Sequence, residues 1–253
     1  MRESKLIDDY EFKYLAFLSY IISIAEFAVA DGECSLDETE ICDLPEEADE
    51  WRYYSKALIK LGNCKYEDIY LPREVEELKE YELGSIDIAL MNRGYRCTKL
   101  LSLYRRVAKK FTSIARTYLE DKLIQTSFSN VEFFLALLRN GKAIILEGEE
   151  RTIKIPKLRI WATAHTHPYT CIPSAIDMES AEDILCDQGI VEAIISPLCT
   201  LIIFREAPLT DTDILALREA TEILRYLSTN LDMSAIHELK RILINTNIRL
   251  ELV

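Results

Sequence analysis

Two of the chain's three histidines stand two residues apart, as His165-Thr166-His167, at the end of the apolar run LRIWATA (158–164). Side chains two apart on a strand share one face, so both imidazoles can converge on a single ion from a rigid platform. Pro168 stops the strand and leaves the pair at a sheet rim, where a site stays open to solvent. Ten residues after His167 comes Asp177, and Ser174 stands three before it, behind Pro173. The run SAID opens a helix, which puts Ser174 or Asp177 near its N-terminus. Two imidazoles and one carboxylate suit zinc, and three protein ligands leave a fourth position for water, as in a catalytic rather than a structural site. Taken singly, a strand-end histidine and a helix-start aspartate are ordinary structural residues. Their clustering is what points to a metal.

Metal-assisted hydrolysis also needs a base within reach of the reacting water. Glu132 opens the apolar run EFFLALL and lies 33 residues ahead of His165, room for three strands of a sheet. Its rivals are Glu120, inside a predicted helix, and Glu147, Glu149 and Glu150, at a predicted hairpin tip. Cys171, inside the motif loop, reads as loop packing: a histidine committed to zinc cannot also serve a thiol as its base. His237 is isolated on a C-terminal helical stretch and reads as a surface or packing residue.

The pattern His165-x-His167-Pro168 followed by Ser174-x-x-Asp177, with Glu132 upstream, resembles the JAMM, or MPN+, zinc metalloprotease signature. The resemblance covers about residues 108–210, and the loop from His167 to Ser174 is one residue shorter than is usual in that family. It implies an MPN-type mixed sheet flanked by helices. It also implies a Zn²⁺ ion on His165, His167 and Asp177, Glu132 as base, and Ser174 stabilising the oxyanion. The expected activity is hydrolysis of amide or isopeptide bonds, with a ubiquitin-like protein or its conjugates as partner. A non-catalytic MPN scaffold is the competing reading. A zinc deaminase would need a PCxxC ligand pair, which is absent.

These residues must be positioned by the second half of the chain. Strand-like runs are predicted at 133–138, 142–147, 151–155, 158–164, 190–196 and 199–205, with Asn140-Gly141 as a hairpin turn between the first two. Helical patterns are predicted over 101–124, 177–189, 211–229 and 233–246, and QTSFSN (125–130) reads as a break. Strands interleaved with helices predict an α/β or α+β domain over 106–253. Residues 1–105 read instead as a helical region, a possible protein-docking surface, with helical spacing at 11–30, 51–62 and 96–108. Between the first two lies 31–50, which holds ten acidic residues and no basic one, and is expected to be a solvated loop with a short helix. An EF-hand fails there, because Phe27 and Val29 stand where ligands should.

Composition sets the outer limits. Of 253 residues, 49% are hydrophobic, a globular composition. The net charge of −13 argues against nucleic acid or an anionic membrane as the main partner. Residues 14–30 form the one long apolar stretch, with Glu26 inside it, and read as a buried core helix. The acidic start MRESKLIDDYEFK does not fit a signal peptide. The seven cysteines have no CxxC spacing and are expected to be mostly reduced, in a cytoplasmic protein, with a Cys34–Cys42 bridge as the alternative.

Overall fold

A computed structural model describes residues 4–66, 81, 83–89, 96–148, 159–227 and 233–253. The chain is mixed α and β, and it divides into two compact units. One comprises residues 1–7, 108–138 and 143–253; the other comprises 8–107 and 139–142.

The larger unit is built on a seven-stranded sheet. Its strands are β1 (Ser4–Ile7), β6 (Phe133–Leu138), β7 (Ala143–Glu147), β8 (Ile160–Thr166), β9 (Val191–Ile195), β10 (Thr200–Arg205) and β11 (Ile248–Leu252). They lie in the order β1-β7-β6-β8-β9-β10-β11. Only β8 and β9 pair in parallel; every other neighbouring pair is antiparallel. Strands buried on both faces read as continuous apolar runs, and β6, β8, β9 and β10 do so. The β6–β7 hairpin turns where the Asn140-Gly141 signal predicts it, with Gly141 at φ +79, a value that favours glycine.

Helices cover both faces of this sheet. The helices α4 (Ala175–Cys186), α5 (Asp211–Leu227) and α6 (Met233–Ile242) share one core with Ile194, Leu201, Ile203, Ile248 and Leu250 of the strands. The long helix α3 (Leu100–Ser129) bonds to the opposite side of β8, where the hydroxyls of Thr126 and Thr166 meet at 2.7 Å. The predicted break at 125–130 falls only at its end: residues 125–129 form the last turn of α3, and Asn130, at φ +55, ends it. There Thr126, Ser127 and Ser129 each donate a hydroxyl proton to the carbonyl four residues back, so residues that favour turns continue the helix.

The smaller unit corrects the expectation of a helical region. It does contain α1 (Tyr10–Asp31) and the short α2 (Ala48–Tyr53), but it also has a four-stranded sheet. The strands β2 (Ser35–Cys42), β3 (Lys56–Gly62), β4 (Ser85–Ala89) and β5 (Cys97–Lys99) run in the order β4-β3-β2-β5. β3, KALIKLG, alternates exposed or half-buried with buried positions, a period-2 pattern that outweighs helical spacing in so short a run. The acidic stretch after α1 supplies β2, whose Glu40 is paired with Lys60 at 3.1 Å and Lys99 at 3.4 Å. α1 is long and apolar enough by length and composition to cross a bilayer, yet Phe12, Leu15, Phe17, Leu18, Ile21 and Ile22 are fully buried within the protein. The strand predicted at 151–155 lies outside the described residues.

The expected reduced thiols are also overturned. Cys34 is bonded to Cys64, Cys42 to Cys97 and Cys171 to Cys199, which leaves Cys186 free. Cys42 and Cys97 stand directly opposite each other on β2 and β5. Such pairs are set by strand register, not by spacing along the chain, and the sequence alone does not reveal them. Peptide mapping of unreduced protein should recover these three linkages, and alkylation should label Cys186 alone. Cys171→Ser should lower stability by about 3–4 kcal/mol on a chain-entropy argument for a bridge spanning 28 residues. Labelling of all seven cysteines without reductant would reject the assignment.

Candidate metal centre

β8 delivers both histidines. His165 is its penultimate residue, and His167 continues the extended chain by donating its backbone N–H to the Ile195 carbonyl at 2.8 Å. Thr163, His165 and His167 therefore face one side of the sheet, while Thr166 faces α3. The third side chain comes from the first turn of α4. Ser174 is the N-cap, and Asp177 is the third helical residue. The Ser174 hydroxyl accepts the Asp177 N–H at 3.2 Å, and the Asp177 Oδ2 accepts the Ser174 N–H at 2.6 Å, a reciprocal capping box. That box fixes the carboxylate before any ligand arrives.

The three side chains meet at their ligating atoms. The two Nε2 atoms are 3.1 Å apart, Asp177 Oδ1 is 3.1 Å from His165 Nε2, and Asp177 Oδ2 is 3.4 Å from His167 Nε2. A tetrahedral ion about 2.0–2.1 Å from each donor demands donor–donor separations of roughly 3.3–3.5 Å. The observed spacing fits such an ion with only small adjustments. Among the described residues this is the one group of three metal-ligating side chains within 4.8 Å of one another. The site is sheltered, with His165 6% and His167 and Asp177 each 12% exposed.

Both imidazoles are held from behind. The Nδ1 of His167 lies 3.2 Å from the Thr170 carbonyl, and the Nδ1 of His165 lies 3.2 Å from Glu192 Oε1. Each acceptor favours the tautomer with the proton on Nδ1, which turns the Nε2 lone pair toward the shared centre. Glu192, on β9, was missed in the sequence. Its one signal was a charged residue inside the apolar run IVEAIIS.

Glu132 stands at the rim, directly ahead of β6, with Oε1 3.8 Å from His167 Nε2 and the side chain 34% exposed. Thr166 accounts for this placement. Its hydroxyl accepts the Phe133 N–H at 2.8 Å and meets Thr126, so the turn between α3 and β6 is pinned to the end of β8. Of the rivals, Glu120 lines a groove of about 620 Å³ along α3, and Glu147 lines a separate pocket with Lys5 and Gln125. Glu149 and Glu150 lie outside the described residues. Cys171 is buried in its disulfide and holds the motif loop to the start of β10.

The charges of the site pull in one direction. Burial alone would disfavour the His165 imidazolium, but the Asp177 and Glu192 carboxylates outweigh it and raise the His165 pKa well above the ordinary value. Burial likewise opposes the Asp177 carboxylate, but His165 and His167 hold its pKa well below the usual carboxylate range. A proton and a metal ion compete for the same histidine nitrogen. Comparison with protein-family models, with curated proteins and with solved structures finds no match.

Metal analysis after extensive dialysis should find about one divalent ion per chain, as a single three-ligand site requires. Each of His167→Ala and Asp177→Ala should weaken binding by more than the roughly 10–100-fold cost of losing an outer partner. Because the His165 pKa is raised, its proton must be displaced up to a higher pH than usual. Affinity should therefore climb as pH rises through neutrality and level off only above that raised value. Binding that is flat across neutral pH, or unchanged in both variants, would place the ion elsewhere.

Proposed function

We propose that the chain is a zinc-dependent hydrolase of the JAMM/MPN+ type that cleaves amide or isopeptide bonds, with ubiquitin-like conjugates or precursors as its substrate class. The observation that carries this reading is the convergence of two imidazole Nε2 atoms and one carboxylate, with a second, half-exposed carboxylate at the rim. A His₂Asp donor set suits zinc better than calcium or magnesium, which take oxygen ligands. This reading needs a mixed sheet flanked by helices, and the larger unit has that coarse architecture.

His165, His167 and Asp177 would hold the ion, which when bound supplies Lewis acidity by lowering the pKa of water and polarising the scissile carbonyl. Glu132, 3.8 Å from His167, is the residue assigned the role of base in this reading. It is near the ligands but partly solvated, so it can take a proton from the attacking water and hand it to the departing amine. Ser174 accepts the Asp177 N–H with one lone pair, which leaves its hydroxyl proton available to donate to a developing oxyanion. The buried walls around His165 and Asp177 strengthen each of these interactions relative to water.

Glu132→Gln should retain stoichiometric zinc and lose about 10²–10⁴-fold in kcat on a lysine-linked ubiquitin-like conjugate. The assay is conjugate cleavage at saturating substrate, with zinc content measured on the same preparation. Wild-type turnover in Glu132→Gln would remove that residue as base and keep the metal. A zinc-loaded wild-type chain that cleaves no conjugate or precursor would favour the non-catalytic MPN scaffold instead.

A further inference from the structure

We propose that Glu192 is the positioning residue of the metal centre, its buried carboxylate taking the Nδ1–H of His165 and so aiming Nε2 at the ion. The inference rests on the reading of His165, His167 and Asp177 as a metal site.

Glu192 lies in the middle of the sheet on β9, where every residue is buried, and its own side chain is 1% exposed. A carboxylate in such a place needs partners. Its Oε2 accepts hydroxyl protons from Thr163 on β8, at 3.3 Å, and from Ser180 on α4, at 3.1 Å. These two donors fix the carboxylate plane and leave Oε1 toward the His165 ring. Oε1 stands 3.2 Å from Nδ1, with the ring turned off the ideal hydrogen-bond line, and it has no other polar partner. The ion pair that Glu192 makes is with His165.

Three elements thus cooperate on one carboxylate: β8, α4 and β9. The same three elements supply or border the metal ligands. His167 shows the contrast. Its Nδ1 faces a neutral backbone carbonyl, whereas that of His165 faces an anion. A charged acceptor draws the Nδ1 proton more strongly, makes the ring a better donor through Nε2 and holds its orientation. His165 is then the stronger of the two imidazole ligands. Charge arithmetic agrees, because two sheltered carboxylates, Asp177 and Glu192, around two neutral imidazoles balance one dication.

The test uses the full chain as wild type, Glu192→Gln and Glu192→Ala. Zinc affinity is measured by competition with a chromophoric chelator, metal-free stability by thermal unfolding, and the His165 tautomer by ¹⁵N NMR of the zinc-loaded protein. Glu192→Ala should bind zinc about 10–100-fold more weakly. Glu192→Gln, whose amide oxygen still accepts from Nδ1–H without the charge, should fall between the two. It is also the informative variant if Glu192→Ala fails to fold. Wild type should show Nδ1 of His165 protonated. Unchanged zinc affinity in both variants, even with altered metal-free stability, would reduce Glu192 to a packing residue and overturn the proposal while leaving the metal site intact. A wild-type chain that binds no zinc would overturn the metal reading itself, and this proposal with it.

Discussion

The parallel pairing of β8 with β9 is the constraint from which the site follows. Two neighbouring parallel strands cannot be joined by a tight turn; the chain must cross over the sheet, and here α4 is the crossover. A crossover helix starts near the carboxyl end of the first strand. The first turn of α4 is thereby brought to the end of β8, where His165 and His167 emerge. Register does the rest: His165 lies opposite Ile194 and Thr163 opposite Glu192, so ligand and supporting carboxylate share one face. Open α/β sheets commonly place their ligand sites at the carboxyl ends of strands for the same reason.

Asp177 meets two demands at once. Its Oδ2 closes the capping box with the Ser174 N–H, and both its oxygens lie within 3.4 Å of a histidine nitrogen. A helix N-terminus favours negative charge there, so the fold itself keeps the side chain anionic and oriented. Asparagine or glutamine could accept the Ser174 N–H as well. Neither would bring an anionic oxygen to the two imidazoles, which is a reason for aspartate at this position. The Cys171–Cys199 bond contributes from the other side. It anchors the loop whose Thr170 carbonyl orients His167.

The sequence made the site far more legible than the fold around it. His165, His167 and Asp177 could be grouped because their spacing is short and local, and the capping pattern of Ser174 and Asp177 is local too. β6, β8, β9 and β10 were legible as buried apolar runs. The sheet of residues 8–107 was not. β2 carries three acidic residues and is partly exposed, and β5 has only three residues, so neither carries a strong period. β1 and β11 are short edge strands from the two ends of the chain, and each depends on a partner distant in sequence. The disulfides and Glu192 failed to show for the same reason. Both gain meaning only across strands, where register matters and chain distance does not.

Glu192 and Glu132 show how one residue type is given two tasks by depth alone. Glu192 is sealed in the sheet, its Oε2 held by two hydroxyls and its Oε1 close to a single imidazole nitrogen. In that setting a carboxylate is fixed in place and poorly suited to carrying protons to and from solvent. Glu132, one residue ahead of β6 and a third exposed, keeps contact with water while lying 3.8 Å from His167. Solvent contact lets it exchange protons, and its place on a pinned turn keeps it from wandering away. Burial therefore separates the group that orients a ligand from the group that can move a proton. The Thr166 hydroxyl, holding Phe133 and Thr126 together on the far face of β8, keeps the second of these at the rim.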